Sequence, residues 1–198
     1  YATIDREVLA ACEKTVAVLA DLGAEIVEVD GPFAEDPVME WLAIVGIANE
    51  RTIGHVRDTE QWEQIDPEMR LFADLAMARF GPVDLVRAFD AMHTLNLSLV
   101  ELFHRVPLLL APTVAGQPPA MGTSSGLVNG ELSVGWVALT YPFNLTRSPA
   151  GTVCTGFTSD GMPIGLQVIG PQHADVAVLR LLKVIEETLA LDTIAPLP

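Results

Sequence analysis

Thr152-Val153-Cys154-Thr155-Gly156-Phe157-Thr158, then Ser159-Asp160-Gly161, then Ile164-Gly165-Leu166-Gln167-Val168-Ile169 decide the reading of this chain. Both flanking runs are short and suit strands. Asp160-Gly161 between them accepts the positive φ that a hairpin turn requires. The stretch predicts strands over residues 152–158 and 164–169. Behind it, Ala174 to Leu191 sets Leu179, Leu182, Ile185, Glu186 and Leu189 at helical spacing and predicts a closing helix. Lys183 and Glu187 stand i,i+4 on its wet face.

Working outward, the apolar run Val106-Pro107-Leu108-Leu109-Leu110-Ala111 predicts a buried strand, covered on both faces. Residues 112–135 are rich in Gly, Pro and Ser, with Asn129-Gly130 as a turn. A loop of that length inside a compact unit usually carries function. At the front, Asp5 caps a helix that runs to Leu22, with Val8, Cys12, Thr15, Val16 and Leu19 on one face and Gly23 at its end. Ala24 to Val29 alternates apolar and acidic residues and predicts a strand, closed by Gly31-Pro32. Helices are expected over residues 37–57, 66–80 and 83–105. Asp66 caps the second of these, with Pro67 in its first turn. Gly81-Pro82 breaks the chain before the third. The order of helices and strands predicts one α/β domain over residues 1–198.

Composition narrows the partners. Half the residues are apolar and 19% are charged, which excludes a disordered chain. Asp and Glu number 26 against 11 Lys and Arg, a net charge of −15. That field repels a duplex or an anionic membrane, so neither nucleic acid nor a membrane is an expected partner. Cys12 and Cys154 lie far apart and read as two thiols in a reducing compartment. No run is long and apolar enough to span a bilayer and no signal peptide opens the chain, so the expected location is cytoplasmic. The chain begins Tyr1-Ala2-Thr3-Ile4, and its first Met is Met39. It reads as a processed or truncated product, or as one part of a longer chain.

The search for chemistry finds little. His55, His93, His104 and His173 are scattered, with no metal-ligand spacing. No glycine-rich phosphate loop is present, and no cofactor is expected. Ser124-Ser125 sits in a glycine-flanked loop that superficially resembles a nucleophile loop. A serine nucleophile needs an adjacent base. The two lysines, Lys14 and Lys183, fall on the outer sides of helices. Glu13, Asp21, Glu186 and Glu187 read as a solvated acidic surface.

The tail carries a longer string. Tyr141-Pro142-Phe143-Asn144-Leu145-Thr146-Arg147-Ser148-Pro149-Ala150 precedes Gly156-Phe157-Thr158-Ser159-Asp160-Gly161-Met162-Pro163-Ile164-Gly165-Leu166-Gln167. Together with Leu109-Leu110-Ala111-Pro112-Thr113 and Leu22-Gly23-Ala24-Glu25-Ile26, it resembles the C-terminal portion of the amidase signature family. The resemblance implies a mixed β-sheet flanked by helices, and hydrolysis of carboxamides through a Ser–cis-Ser–Lys triad. It places that triad in the N-terminal half, so no catalytic residue is assigned here. It implies a partner, the N-terminal half in the same or a separate chain, and a small-molecule amide substrate. A homodimer stays open as a further assembly.

The resemblance also implies a substrate wall at Trp136, Val137 and Phe143. Glutamine-using relatives carry an acidic residue seven positions before the motif Asn. Val137 stands there, which disfavours glutamine. Arg147 replaces the motif Gly, Cys154-Thr155 replaces Pro-Cys, and Pro107 replaces an acidic residue. Three readings follow: a portion of an amide hydrolase inactive by itself, a non-catalytic remnant or interaction module, and a small serine hydrolase using Ser124 or Ser125.

Overall fold

The computed structural model describes residues 1–194. Helix α1 (Arg6–Asp21) starts where Asp5 Oδ1 accepts a hydrogen bond from the Glu7 N–H at 2.9 Å. The other carboxylate oxygen accepts from Asn129 N–H at 2.7 Å, so one cap also holds a distant turn. Helices α2 (Val38–Ile53), α3 (Pro67–Arg79) and α4 (Pro82–Phe103) follow. Asp66 caps α3 through Glu68 and Met69, as its spacing requires. Helices α2 and α3 cross at Gly46, where an added Cβ would lie 2.3 Å from that of Ala76.

Strand β1 (Leu109–Pro112) comes next, followed by a small hairpin of β2 (Gly126–Val128) and β3 (Glu131–Ser133). Asn129 and Gly130 turn that hairpin with φ of 53° and 83°. Helix α5 (Tyr141–Thr146), strands β4 (Ala150–Phe157) and β5 (Pro163–Ile169), and helix α6 (Asp175–Leu189) complete the described chain.

The main sheet has the order β1-β5-β4. Central strand β5 is sandwiched by two cores. Ile164, Leu166 and Val168 face Val8, Cys12 and Leu19 of α1 and Val178 and Ile185 of α6. Ile169 faces Leu99 and Leu102 of α4, Phe143 of α5 and Phe33. The alternation of β5 thus places one helical layer on each side of the sheet. The α/β class with flanking helices stands. Every strand pair among the described residues is antiparallel.

Three expectations change. Ala24–Val29 forms no strand: residues 25–29 make no backbone hydrogen bond among the described residues, and Ile26 and Val27 are each 44% exposed. Alternation suits a strand, but a strand needs a neighbour to pair with. The run at 106–111 pairs only from Leu109, extends through Pro112, and is half-buried rather than covered on both faces, because β1 is the edge of its sheet. The long loop is partly ordered, as the β2–β3 hairpin. The hairpin at Asp160-Gly161, by contrast, forms as its sequence requires, with Gly161 at φ 86° and Thr158 N–H donating to Met162 O at 2.8 Å.

Candidate functional site

A groove of about 1070 Å³ opens between α1, residues 24–33 and β1. Its lining is chiefly apolar and includes Val16, Leu19, Val27, Leu108, Leu110 and Phe143. Of the three expected wall residues, Phe143 alone reaches it. That side chain is buried, and its ring centroid lies 5.9 Å from that of Phe33, tilted by 53°. Trp136 instead packs on the small hairpin: an added Cβ on Gly126 would come within 2.6 Å of its Cγ. The Trp136 carbonyl accepts from Ala115 N–H at 2.7 Å. Val137 closes the 3-10 turn Val134–Val137, its carbonyl accepting from the Thr140 N–H at 3.0 Å and hydroxyl at 2.9 Å.

Gln167 organises the end of β1. It is 3% exposed, and its Nε2 donates to Pro112 O and Leu139 O, both at 2.9 Å. One side chain on the central strand therefore ties the last residue of β1 to the segment entering α5. Nearby, the Thr113 and Thr152 hydroxyls lie 3.1 Å apart, and Thr113 N–H donates to Gly165 O at 2.8 Å.

A second cluster escaped the sequence reading. Tyr141 Oη donates to Asp36 Oδ1, Tyr1 Oη donates to Ala138 O at 3.1 Å, and Trp41 lies 5.5 Å from Tyr141, centroid to centroid. Burial raises the Tyr141 phenol well above its ordinary range, and the Asp36 hydrogen bond and charge raise it further. Burial, with Asp36 adding, pushes Tyr1 up to about 12. These phenols stay protonated and serve as donors. Asp36 and Tyr141 stand far apart in sequence, so no local spacing announces them.

The departures from the family motif have visible consequences. Arg147 ends α5 in the left-handed region, φ 55° and ψ 30°. The turn that glycine adopts freely is kept, with an exposed arginine bearing its strain. The ladder slips between Cys154 and Gly156. This bulge turns Thr155 inward, where its hydroxyl meets that of Thr15 on α1.

Among the described residues no serine hydroxyl is hydrogen-bonded to a lysine or a histidine. Ser124 and Ser125 lie in the loop before β2, Lys14 is exposed, and Lys183 is exposed and paired with Glu187. The four histidines are exposed. Among the described residues no group of three metal-ligating side chains occurs, and no helix is long and apolar enough to cross a membrane.

The hairpin carries Gly165-Leu166-Gln167 on the central strand β5 of a helix-flanked α/β sheet, beside the apolar groove. The amidase family matches over residues 1–179, and the chain belongs to that family. It is 30% identical over 187 residues to an acylamidase of Rhodococcus erythropolis, covering 89% of this chain and 38% of that protein. A fatty acid amide hydrolase of Medicago truncatula is 29% identical over 187 residues, covering 91% of this chain and 30% of the relative. Among solved structures, a bacterial aryl acylamidase of the amidase signature family superposes with a TM-score of 0.79 at 26% identity, covering 94% of this chain and 41% of that one. A crystal structure of an amidase superposes with a TM-score of 0.82 at 26% identity, covering 93% of this chain and 42% of that one. The chain thus spans well under half the length of these relatives.

Proposed function

We propose that this chain is the C-terminal portion of an amide hydrolase that converts a small carboxamide to a carboxylate and an amine or ammonia. An N-terminal portion, in the same or a separate chain, supplies the Ser–cis-Ser–Lys triad and the oxyanion donors. This chain supplies sheet strands and part of the wall of the acyl pocket, with Phe143 as the wall residue that reaches the groove and Trp136 and Val137 as further candidates. An apolar wall fits an apolar acyl group and disfavours glutamine. Its acidic surface suits neither nucleic acid nor an anionic membrane, and its free thiols suit the cytoplasm.

One observation carries this reading. The family match runs in order through residues 1–179, yet no serine hydroxyl among the described residues is hydrogen-bonded to a lysine or histidine. The left-handed turn kept at Arg147 supports the same reading over a decayed remnant, because the motif's backbone survives its substitution.

The test is hydrolysis of an acyl anilide, followed by release of the aromatic amine. The 198-residue chain alone gives no turnover above buffer. The chain joined to its N-terminal portion gives turnover, which Ser124→Ala and Ser125→Ala leave unchanged. Turnover by the chain alone, lost in either serine variant, would establish a small serine hydrolase instead.

A further inference from the structure

We propose that the outer face of α4 takes a second copy of this chain, the two α4 helices lying antiparallel about a two-fold axis between Ala91 and Met92. This goes beyond the amidase reading and needs no N-terminal portion. The pattern of residues on one helix carries it.

Helix α4 is the longest helix among the described residues, and only one side of it packs inward. Ala88, Leu99 and Leu102 are buried against the body of the chain. The other side carries Val83, Val86, Phe89, Leu97 and Val100, all between 47% and 63% exposed. Single apolar residues scattered over a surface need no explanation, but these are not scattered. Val86, His93 and Val100 recur every seven residues, and so do Val83, Asp90 and Leu97. The two series alternate at spacings of three and four. They make one heptad seam of about 26 Å from Val83 to Val100, at 1.5 Å per residue.

A second helix completes such a seam, and the polar members select its direction and register. A parallel copy would set Asp90 beside Asp90, where like charges repel. In the antiparallel register about Ala91 and Met92, Val83 meets Val100 of the second copy, Val86 meets Leu97, and Asp90 meets His93. On one flank Arg87 meets Glu101, so opposite charges face each other. The two-fold axis makes each of these contacts twice. A slip of one heptad sets Asp90 against Val100 or against Val86, which leaves a carboxylate on apolar surface. One register therefore matches apolar to apolar and acid to base along the seam.

The charged groups are available for these contacts. Arg87, Asp90, His93 and Glu101 are exposed. Among the described residues Asp90, His93 and Glu101 enter no ion pair, and Arg87 approaches Asp84 only at 3.8 Å. The chain as a whole carries −15, which opposes random self-association. The seam instead brings both signs of charge to one strip, and its Asp90 and Glu101 suit a protein surface rather than lipid.

Sedimentation velocity tests the assignment on the 198-residue chain and on the same chain joined to the N-terminal portion of its reading frame. Both sediment as dimers at micromolar concentrations, as a short seam allows. Arg87→Glu creates two like-charge contacts per dimer and weakens association by on the order of 10-fold. Glu101→Arg does the same, and the two substitutions together restore the parent affinity to within about 3-fold. Leu97→Asp gives a monomer with an unchanged urea midpoint, because that side chain is exposed in the single chain. Monomers in either form would overturn the proposal. A joined form that is monomeric, with its urea midpoint lowered by Leu97→Asp, would make the N-terminal portion the occupant. A dimer untouched by these substitutions would place its contact on another face and also overturn the proposal. Loss in both single charge variants without recovery in the double variant would overturn the antiparallel register.

Discussion

Replacing Gln167 with Met removes two hydrogen-bond donors while nearly keeping side-chain length and filling the same space. Pro112 O and Leu139 O each accept from Nε2 at 2.9 Å, so both carbonyls lose their donor at once. A buried carbonyl left unsatisfied costs about 1–3 kcal/mol. Pro112 and Leu139 are half-buried, and water can partly replace the amide. The lower end of the range applies, and the two together cost about 2–3 kcal/mol. For a domain of 150–250 residues, each kcal/mol lowers Tm by about 2–4 °C, so Gln167→Met melts roughly 4–12 °C lower. Urea unfolding followed by tryptophan fluorescence, with calorimetry alongside, measures both quantities. Gln167→Glu supplies the internal control. Its carboxylate faces two carbonyl oxygens and costs more than Met at neutral pH. The loss shrinks as pH falls through the carboxyl range, because a protonated Glu donates again. A Gln167→Met midpoint within about 0.5 kcal/mol of the parent would refute the idea that this amide holds β1 to the entry of α5.

Other substitutions probe neighbouring features. Arg147→Gly relieves a left-handed position of about 1–2 kcal/mol of strain, offset in part by the entropy glycine gains when unfolded. We expect a net stabilisation of about 0.5–1 kcal/mol by urea unfolding; destabilisation would show that the arginine side chain holds the turn. Asp5→Ala loses the α1 cap and the bond to Asn129, for a cost of about 2 kcal/mol in the same assay. Cys12 resists iodoacetamide at pH 8 in the folded chain, because burial, with the charge of Glu13 adding, pushes its thiol from 9.0 up to about 12. The native state holds that proton more tightly than the unfolded state. This stabilising contribution is complete below pH 9, and it is lost as pH rises from 9 towards 12. Burial and then Asp36 raise Tyr1 from 10.0 to about 12, which adds to the same alkaline loss, so the urea midpoint falls in that window.

The sequence by itself determined whatever depends on near neighbours. Asp5 and Asp66 lie beside the N–H groups they cap, Asn129, Gly130 and Gly161 carry the positive φ of their turns, and the alternation of β5 names its two buried faces. The family string in the tail was legible for the same reason, as was the want of a base near Ser124 and Ser125. Tertiary structure decided what distant residues share. Gln167 finding Leu139, Asp36 finding Tyr141 and Thr155 turning towards Thr15 each join parts of the chain that no local spacing relates. The same holds for the candidate wall. Val137 and Trp136 flank one motif with Phe143, but a 3-10 turn and the close approach at Gly126 send only Phe143 to the groove. Ala24–Val29 marks the boundary between the two kinds of knowledge. Its residues specify a strand, but a strand exists only beside another, and pairing is a property of the sheet rather than of the segment.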